Sequence, residues 1–392
     1  MFPLNGIASN LPDKILFSWK SVRTAYSLVY AAFGFFMLFF FTKHIISIGI
    51  TAKNLVGTVF LSISTISYFY FIWLAGKWRK IMIFWMYKER PFLKYPYQVN
   101  RIPVVVHVRL LGSILLILSL IEHALFLINS VYSAFKEASV CKYDLPDRAK
   151  YYFLKQFPSV FNEIPYSLFL GLILTYINFC LTFAWNFLDV FAILISIGLA
   201  KRFEQINKRL TLVKGKYLPP ESYWQQVRHH YVKLCELVEF VEIYVSPLVL
   251  VCCASDLYFI CYQLLNIFNI LPYTTSQIYF WYSLIYLILR SLCLLLCTSE
   301  INDQSKRPLL ILKTIPTYAW CVELDRFIHQ TSKETICLTG MRFFFFTRKL
   351  VLSMIGTVVT YELVLMQFDL NKNEVDTHEN EIVFRYDCNF TY

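Results

Sequence analysis

Charged residues are scarce in this chain of 392 residues. They make up 16% of the sequence, whereas an ordinary soluble domain contains about a quarter. Glycine is also sparse, with 11 residues, and no Gly-rich phosphate loop is present. The sequence contains no paired-cysteine metal motif, no HExxH motif and no recognisable nucleophile arrangement. These absences argue against a soluble domain and predict a protein without catalytic activity, a bound metal or a cofactor.

Apolar residues are abundant instead. They account for 57% of the chain, and the mean hydropathy is +0.51. Seven runs are long enough to cross about 30 Å of hydrocarbon, and they lack the ten-residue alternation of a membrane barrel. The runs cover residues 25–41, 55–74, 110–131, 167–197, 245–270, 278–297 and 350–368. We therefore predict an all-α membrane protein with seven transmembrane helices, because each span must satisfy its backbone internally.

The distribution of Lys and Arg predicts the orientation of these helices. When the segments between spans are assigned to alternate sides, one side carries roughly three times as many basic residues as the other. Basic residues are retained in the cytoplasm, so we expect a cytoplasmic N-terminus and an extracellular C-terminus. The resulting segments are a cytoplasmic N-terminus (1–24), transmembrane helices 1–4 (25–200), a cytoplasmic helical extension (201–244), helices 5–6 (245–299), a cytoplasmic helical lead (300–349), helix 7 (350–368) and an extracellular tail (369–392).

Two features of the predicted extracellular side concern covalent modification. Asn389, with Phe390 and Thr391, forms a glycosylation sequon that is usable only in the secretory lumen. Of eleven cysteines, only Cys141 and Cys388 fall outside the cell in this topology. They could form a disulfide, or they could be two unpaired thiols; sequence alone leaves both open.

A regular apolar stripe marks the predicted cytoplasmic extension before span five. Its steps alternate between three and four residues, as in a coiled coil. The members are Trp224, Val227, Tyr231, Leu234, Val238 and Val241. Such a stripe either contacts another subunit or covers the helix's own bundle, and the pattern fits both. Residues 309–349, with the run 343–346, are expected to be a helical lead into the last span.

Ionisable residues inside the predicted spans need a reason, because burying them in a bilayer is costly. At about 1.5 Å per residue, Asp256 and Arg290 lie at similar depths below the predicted outer ends of spans five and six. This similarity predicts a structural ion pair between them. Glu122 and His123 in span three lie in the outer half. Asp189 in span four comes out close to the cytoplasmic face, where we expect a solvated helix-end residue.

Nine residues in the last span, 360–368, carry a recognisable pattern. Thr360 and Tyr361 are followed by five residues and then by Gln367 and Phe368, which resembles the C-terminal signature of insect gustatory receptors. Glu362, directly after Thr-Tyr, resembles the sugar-receptor branch of that family. The segments 185–187, 196–199 and 257–261 also resemble sugar-receptor sequences, although less specifically.

This resemblance implies a sugar-gated, non-selective cation channel in the plasma membrane of gustatory neurons, built as a homo- or hetero-tetramer held together by cytoplasmic helix extensions. The last helix would line the pore, with Val364, Gln367 and Phe368 at the gate. Tyr361 and Glu362 would couple ligand binding to the gate; the alternative for both is interhelical packing or hydrogen bonding.

Sugar recognition requires paired donors and acceptors together with flat aromatic faces. Spans three to six carry such residues at helical spacing, and a lipid-facing surface would not need them. The candidate ligand-binding residues are Glu122, His123, Phe126, Asn129, Thr182, Trp185, Tyr258, Tyr262 and Tyr282. For each aromatic or amide residue, the alternative is a contact between helices or a place in the interfacial aromatic belt.

Two other classes of protein were weighed against the channel. A seven-helix receptor that signals through a G protein is disfavoured by the loop charges and by the lack of its Asp-Arg-Tyr and Asn-Pro-x-x-Tyr motifs. A transporter would show inverted repeats between its halves, and seven unequal spans show none. A requirement for a partner subunit is left open.

Overall fold

The protein was studied as a computed structural model, which describes residues 2–6, 12–49, 52–97, 103–141, 143–213, 219–267 and 271–375. Within these ranges the chain is almost entirely helical, and its only β-structure is two isolated bridges. The helices are α1 (Val22–Ile48), α2 (Ala52–Glu89), α3 (Val104–Val140), α4 (Leu145–Gln156), α5 (Pro158–Phe161), α6 (Leu168–Val213), α7 (Glu221–Leu265), α8 (Thr274–Leu312), α9 (Val322–Lys333) and α10 (Arg348–Val375).

Six of these helices are long and apolar enough to cross a membrane: α1, α2, α3, α6, α7 and α8. They contain four of the first six predicted spans in full and most of the other two, since α6 begins at Leu168 and α7 ends at Leu265. This confirms the prediction of an all-α membrane protein. The seventh predicted span coincides with α10, a helix of 28 residues. The total number of spans and the side on which each terminus lies stay predictions.

The two longest helices extend far beyond a bilayer. Helix α6 has 46 residues and α7 has 45, so each is roughly 68 Å long at about 1.5 Å per residue. The hydrocarbon core takes up only about 30 Å of that length. The remaining length belongs to the C-terminal part of α6 and the N-terminal part of α7, where the sequence predicts a cytoplasmic extension (201–244). The described residues of that extension are helical apart from the short segment before α7.

The apolar stripe of α7 is buried inside its own subunit. Trp224, Tyr231 and Val238 are at most 2% exposed, and α7 packs against α2, α6, α8 and α9. An ion pair between Arg228 and Glu323, 2.9 Å apart, joins α7 to α9. The stripe therefore covers the helical bundle of its own chain.

The prediction of a helical lead over residues 309–349 is wrong for most of its length. Helix α8 ends at Leu312, only α9 is helical beyond a short 3-10 turn, and residues 334–347 form an extended and turning segment. Proline at 316 lacks a backbone N–H and disfavours continuation of a helix at this position. Positive φ angles at Met341 (51°) and Arg342 (64°) then make a turn.

The phenylalanine run 343–346 follows this turn, and the exposure of its side chains alternates as in an extended chain. Phe343 and Phe345 are 79% and 53% exposed, whereas Phe346 is fully buried. This alternation has the period of two that extended chain produces. The backbone N–H of Phe346 donates to the carbonyl of Leu338, which closes the turn.

Cys141, at the end of α3, is disulfide-bonded, which removes the alternative of a free thiol at this position. The other cysteine of the sequence-based hypothesis, Cys388, and the sequon at Asn389 both lie outside the described residues.

Candidate ligand site and ion-pair centre

Helices α3 and α8 face each other along a ladder of polar and aromatic contacts. The α3 members are Leu115, Leu118, Glu122, Phe126 and Asn129, and the α8 members are Ser276, Tyr279, Tyr282, Ser283 and Tyr286. The α3 series advances by three or four residues, and so does the α8 series apart from the adjacent pair Tyr282 and Ser283, so each occupies one face of its helix. The predicted residues Glu122, Phe126, Asn129 and Tyr282 are thus brought to one interface.

A hydrogen-bond chain crosses this interface at Glu122. The hydroxyl of Ser283 donates to Glu122 Oε1 over 3.1 Å. Gln263 Nε2, from α7, donates to the oxygen of Ser283 over 3.1 Å. Glu122 is 8% exposed, and Gln263 Oε1 is buried without a hydrogen-bond partner. Three helices thus meet at a buried carboxylate with one free amide acceptor beside it.

His123 faces a different neighbour from Glu122. Its ring lies 5.1 Å from the ring of Phe179 on α6 and 5.7 Å from that of Phe126. The Nε2 atom is buried and has no hydrogen-bond partner. Glu122 and His123, although adjacent in sequence, therefore contact different neighbours, and the hydrogen-bond partner of Glu122 is the neutral hydroxyl of Ser283.

The flanking contacts position the other α3 and α8 residues. Ser276 donates to Asn129 Oδ1 over 2.7 Å, and the rings of Phe126 and Tyr279 are 5.8 Å apart. The Tyr282 hydroxyl donates to the Leu118 carbonyl over 3.1 Å. A polar and aromatic strip of this kind can present hydrogen-bonding groups beside flat rings.

Thr182 on α6 and Tyr258 and Tyr262 on α7 are predicted ligand residues that form no hydrogen bond with the α3–α8 ladder among the described residues. The Thr182 hydroxyl donates to Asn178 within α6. The Tyr258 ring lies against that of Phe259, and the Tyr262 carbonyl accepts from Asn266 within α7. Local helix geometry accounts for these contacts, so nothing here places Thr182, Tyr258 or Tyr262 at the Glu122 chain.

A charged centre lies at the meeting point of α6, α7 and α8. Arg290 is 1% exposed. Its Nη2 atom is 3.3 Å from Asp256 Oδ1, its Nε atom is 2.9 Å from Asp189 Oδ2, and it also donates to Asn186. The guanidinium carbon lies 4.3 Å from the centre of the Trp185 ring. A single cation is therefore held by two carboxylates, an amide and an aromatic face.

The expectation that Asp189 is solvated near the cytoplasmic face is wrong, because it is 1% exposed and paired with Arg290. Counting from the first apolar residue placed it too deep. Contact with Arg290 shows that Asp189 lies further from the first residue of α6 than Arg290 lies from the first residue of α8, so equal depths do not correspond to equal residue counts. Both Asp189 oxygens and Asp256 Oδ2 lack an aligned hydrogen-bond donor.

Helix α10 packs against α7 and α8 and is otherwise largely exposed. Leu352 is 71% exposed, whereas Ile355 and Val359, 41% and 52% exposed, line the space between α10 and these two helices. Among the predicted gate and coupling residues, Val364 and Tyr361 are 44% and 39% exposed. The backbone of α10 continues through Glu362, Gln367 and Phe368, whose side chains lie outside the description.

A cavity of about 200 Å³ separates α10 from α7 and α8. Its walls are mainly aliphatic. Representative members are Cys253 and Asp256 from α7, Ile288 and Ser291 from α8, and Met354 and Val358 from α10. It borders the charged centre through Asp256.

A second polar cluster lies in the predicted cytoplasmic extension. The Tyr97 hydroxyl is 2.8 Å from His230 Nδ1 and accepts from Arg209 Nη1 at 2.8 Å. Burial, followed by the charges of Arg209 and Lys233, lowers the pKa of His230 to about 4. Burial also raises the pKa of Tyr97 to about 12, although Arg209 opposes the shift. Both groups are therefore neutral near pH 7.

Sequence reasoning missed Ser276, Ser283, Gln263 and Asn186 as partners of the predicted residues. A usable signal existed for the serines, since Ser276 and Ser283 lie on the same stripe of α8 as Tyr279 and Tyr286. Asn186 appeared only as part of a family-like segment, and Gln263 belongs to a different face of α7 from the tyrosines.

Comparison with known proteins gives a consistent family. The family model described as Trehalose receptor matches residues 1–377. The Drosophila melanogaster gustatory receptor for sugar taste 64a is 41% identical over 371 residues, covering 94% of this chain and 81% of that receptor. Gustatory receptor 5a for trehalose, from the same species, is 33% identical over 376 residues, covering 96% and 83%.

Among solved structures, the insect olfactory receptor OR5 from Machilis hrabei matches with a TM-score of 0.64, 15% sequence identity, and coverage of 89% of this chain and 90% of that one. At this identity the match shows the fold alone. The family match spans nearly the whole chain and is to receptors, in agreement with the expectation of a non-enzymatic protein. The chain therefore belongs to the trehalose receptor family and is similar to sugar gustatory receptors of Drosophila melanogaster.

Proposed function

We propose that this protein is a subunit of a sugar-gated cation channel in the plasma membrane of gustatory neurons. The family match and the sugar-taste and trehalose descriptions of its relatives support a sugar ligand. The observation that carries the proposal is the buried chain from Glu122 through Ser283 to Gln263. It places an anionic acceptor and a free amide oxygen where α3, α7 and α8 meet.

A sugar fits this arrangement for two reasons. Adjacent hydroxyls can donate to the Glu122 carboxylate and to Gln263 Oε1, which is buried and unpartnered in this structure. The rings of Phe126 and Tyr279 lie on the same α3–α8 interface, and flat rings suit the apolar C–H face of a pyranose. His123 Nε2, also unpartnered, offers a further polar contact towards α6.

The channel part of the proposal rests on α10. Its exposed side, which includes Leu352, is not covered by the part of the chain that the structure describes, as a helix that lines a shared pore requires. In a tetramer, of identical or related subunits, four copies of α10 would surround the axis. Val364, Gln367 and Phe368 would then form a hydrophobic constriction beside a ring of amides, and widening it would admit water and cations.

Whole-cell recording tests the ligand site directly. The receptor is expressed in a non-insect cell with G-protein signalling blocked, alone or with a related subunit, and challenged with mono- and disaccharides. Glu122→Gln preserves shape but removes the charge. We expect it to raise the half-maximal sugar concentration by about tenfold or more, since hydrogen bonds to charged groups contribute roughly 1.5–3 kcal/mol.

The matched control is Glu163→Gln, which changes a glutamate in the segment before α6 whose side chain is 42% exposed. Its sugar response should equal that of the wild type. Surface biotinylation checks that each variant reaches the membrane. An unchanged response in Glu122→Gln at normal surface level would remove Glu122 from the ligand site, and sugar responses that vanish when the G protein is blocked would remove the channel.

A further inference from the structure

We propose that a groove between α2 and α7, on the side of the membrane where the sequence predicts the cytoplasm, binds the headgroup of an anionic phospholipid. Three observations carry this inference: the cations in the walls of the groove, its depth relative to the predicted spans, and the aromatic side chains beside it. Lipid binding at this place does not rest on the proposed channel function.

The groove is lined by cations and apolar groups. It has a volume of about 630 Å³, and its lining residues, which include Arg79, Lys80 and Ile83 from α2 and Phe240 from α7, contain no carboxylate. Arg79 and Lys80 are exposed, and neither forms an ion pair with another residue in the described part of the chain. Two adjacent cations without a counter-ion attract an anion, and both side chains are suited to phosphate oxygens.

Acidic side chains near the groove belong to a different surface. Three glutamates of α7 line a neighbouring cavity and do not line the basic groove: Glu236, Glu239 and Glu242. The aromatic pair Phe84 and Phe240, whose rings are 4.2 Å apart, borders both spaces. The Lys80 ammonium lies 5.6 Å from the centre of the Phe240 ring. An anion in the groove therefore meets the cations, whereas the carboxylates line a separate space.

The depth of the groove matches the headgroup layer of a bilayer. The second predicted span ends at residue 74, so Arg79 and Lys80 lie roughly 7–9 Å beyond it at about 1.5 Å per residue. The fifth span begins at residue 245, so Phe240 lies roughly 7–8 Å beyond that end. The headgroup layer extends about 5–8 Å from the hydrocarbon core. The cytoplasmic leaflet is rich in anionic lipids, which attract basic segments next to a span.

An aromatic belt lies beside the groove, closer to the hydrocarbon. Trp73 is 45% exposed, and its ring centre lies 6.1 Å from that of Tyr244 on α7. The Tyr70 hydroxyl donates to the Tyr244 carbonyl and joins α2 to α7 at this level. Exposed tryptophan and tyrosine rings at the end of a span are typical of the membrane–water interface. The belt therefore places the adjacent cations within reach of a lipid phosphate.

Photoaffinity labelling in nanodiscs tests the site without any current. The purified receptor is reconstituted in phosphatidylcholine nanodiscs that contain increasing amounts of phosphatidylserine with a diazirine on the acyl chain next to the glycerol. Labelled peptides are identified by mass spectrometry. We expect labelling on the α2 and α7 segments around Ile83 and Phe240. Unlabelled phosphatidylserine should compete for this labelling, whereas the same amount of extra phosphatidylcholine should not.

Removing the two cations should weaken this labelling. Arg79→Gln combined with Lys80→Gln should raise the probe content for half-maximal labelling by about 20-fold, since each basic residue near an anionic surface contributes roughly fivefold in affinity. The matched control combines Lys306→Gln with Arg307→Gln, which removes an exposed adjacent pair from α8. The control should label as the wild type does, because its cations lie outside the groove.

A second variant fills the groove and keeps both cations. Ile83 is 38% exposed, so Ile83→Trp adds bulk to the groove without enlarging the core, and it should reduce labelling several-fold. The elution profile of each purified variant checks its fold. Full labelling in Ile83→Trp, or an equal loss in the Lys306 and Arg307 control, would show diffuse attraction to the membrane and overturn the site. Equal competition by phosphatidylcholine would also overturn it.

The two proposals fail separately. A receptor that shows no sugar current but takes up label as described refutes the sugar-gated channel and keeps this site. A receptor with a normal sugar current and no preference for the anionic lipid refutes this site alone.

Discussion

Replacing Arg290 with methionine should destabilise the receptor more than any exposed charge substitution. The side chain is 1% exposed and is the only cation among the described residues that contacts Asp189 and Asp256. Methionine has similar length but no charge, so two buried carboxylates are left facing each other. Removing one partner of a buried ion pair costs about 3–5 kcal/mol, a large fraction of the roughly 5–15 kcal/mol that typically stabilises a protein.

Thermal stability of the detergent-solubilised receptor, measured by the loss of its main size-exclusion peak, tests this directly. Arg290→Met should unfold many degrees below the wild type, whereas Arg109→Met, at an exposed position of α3, should not. The reasoning also predicts rescue. Adding Asp189→Asn and Asp256→Asn to Arg290→Met removes the orphaned charges and should restore much of the lost stability, because neutral replacement of a buried charge group is often tolerated.

Two outcomes would refute the reasoning. If Arg290→Met is as stable as Arg109→Met, the centre is hydrated and its charges are not confined. If the triple variant is less stable than the single variant, the cost comes from lost packing against Trp185, whose ring lies 4.3 Å from the guanidinium, and not from unpaired charge.

Three further outcomes follow from the other contacts. His230 has a pKa of about 4 in the folded protein but about 6.5 when exposed, so the unfolded chain takes up a proton first and stability should fall as pH drops from about 6.5 to about 4. Thermal unfolding of His230→Gln should lose this acid sensitivity. A pH profile of stability unchanged by the substitution would contradict this explanation. Phe368→Ala should raise the basal current by removing the proposed constriction, and a silent channel without sugar would exclude Phe368 from the gate. Ser283→Ala should weaken the sugar response less than Glu122→Gln, because it removes a bridge and leaves the carboxylate; dose–response curves compare the two.

The membrane helices were predictable because their cause is local. A run of apolar residues long enough to cross hydrocarbon must form a helix wherever it lies in the bundle, and the first six predicted runs lie wholly or mostly within helices that meet the length and apolarity of a span. The segment 334–347 was not predictable in this way. Its shape depends on a turn at Met341 and Arg342 and on Phe346 finding space in the core.

In the candidate site, too, contacts that follow from spacing within one helix were predictable, whereas contacts that depend on the relative positions of helices were not. The stripes on α3 and α8 repeat every three or four residues, and the structure brings them face to face as that spacing implies. The partner of Asp189 depends on the position of α6 along its axis relative to α8. The residue pattern within either helix does not predict that position. The α7 stripe shows the same limit, because Trp224 and Val238 fit a subunit interface and an internal core equally well, and only the positions of α6, α8 and α9 decide between them.

Helices α7 and α8 connect the parts of the proposed mechanism. Gln263 and Ser283 join them beside Glu122, and the Asp256–Arg290 pair joins them again further along. Helix α10 packs on these same two helices. Helices α7 and α8 are joined at two positions, by the Gln263–Ser283 hydrogen bond and by the Asp256–Arg290 ion pair. We therefore expect a sugar that displaces α8 at Ser283 to move α7 with it, so that the surface supporting α10 moves as one body. We infer that the ligand signal reaches the last helix through this displacement, since a rearrangement confined to Glu122 would leave the α10 contacts unchanged.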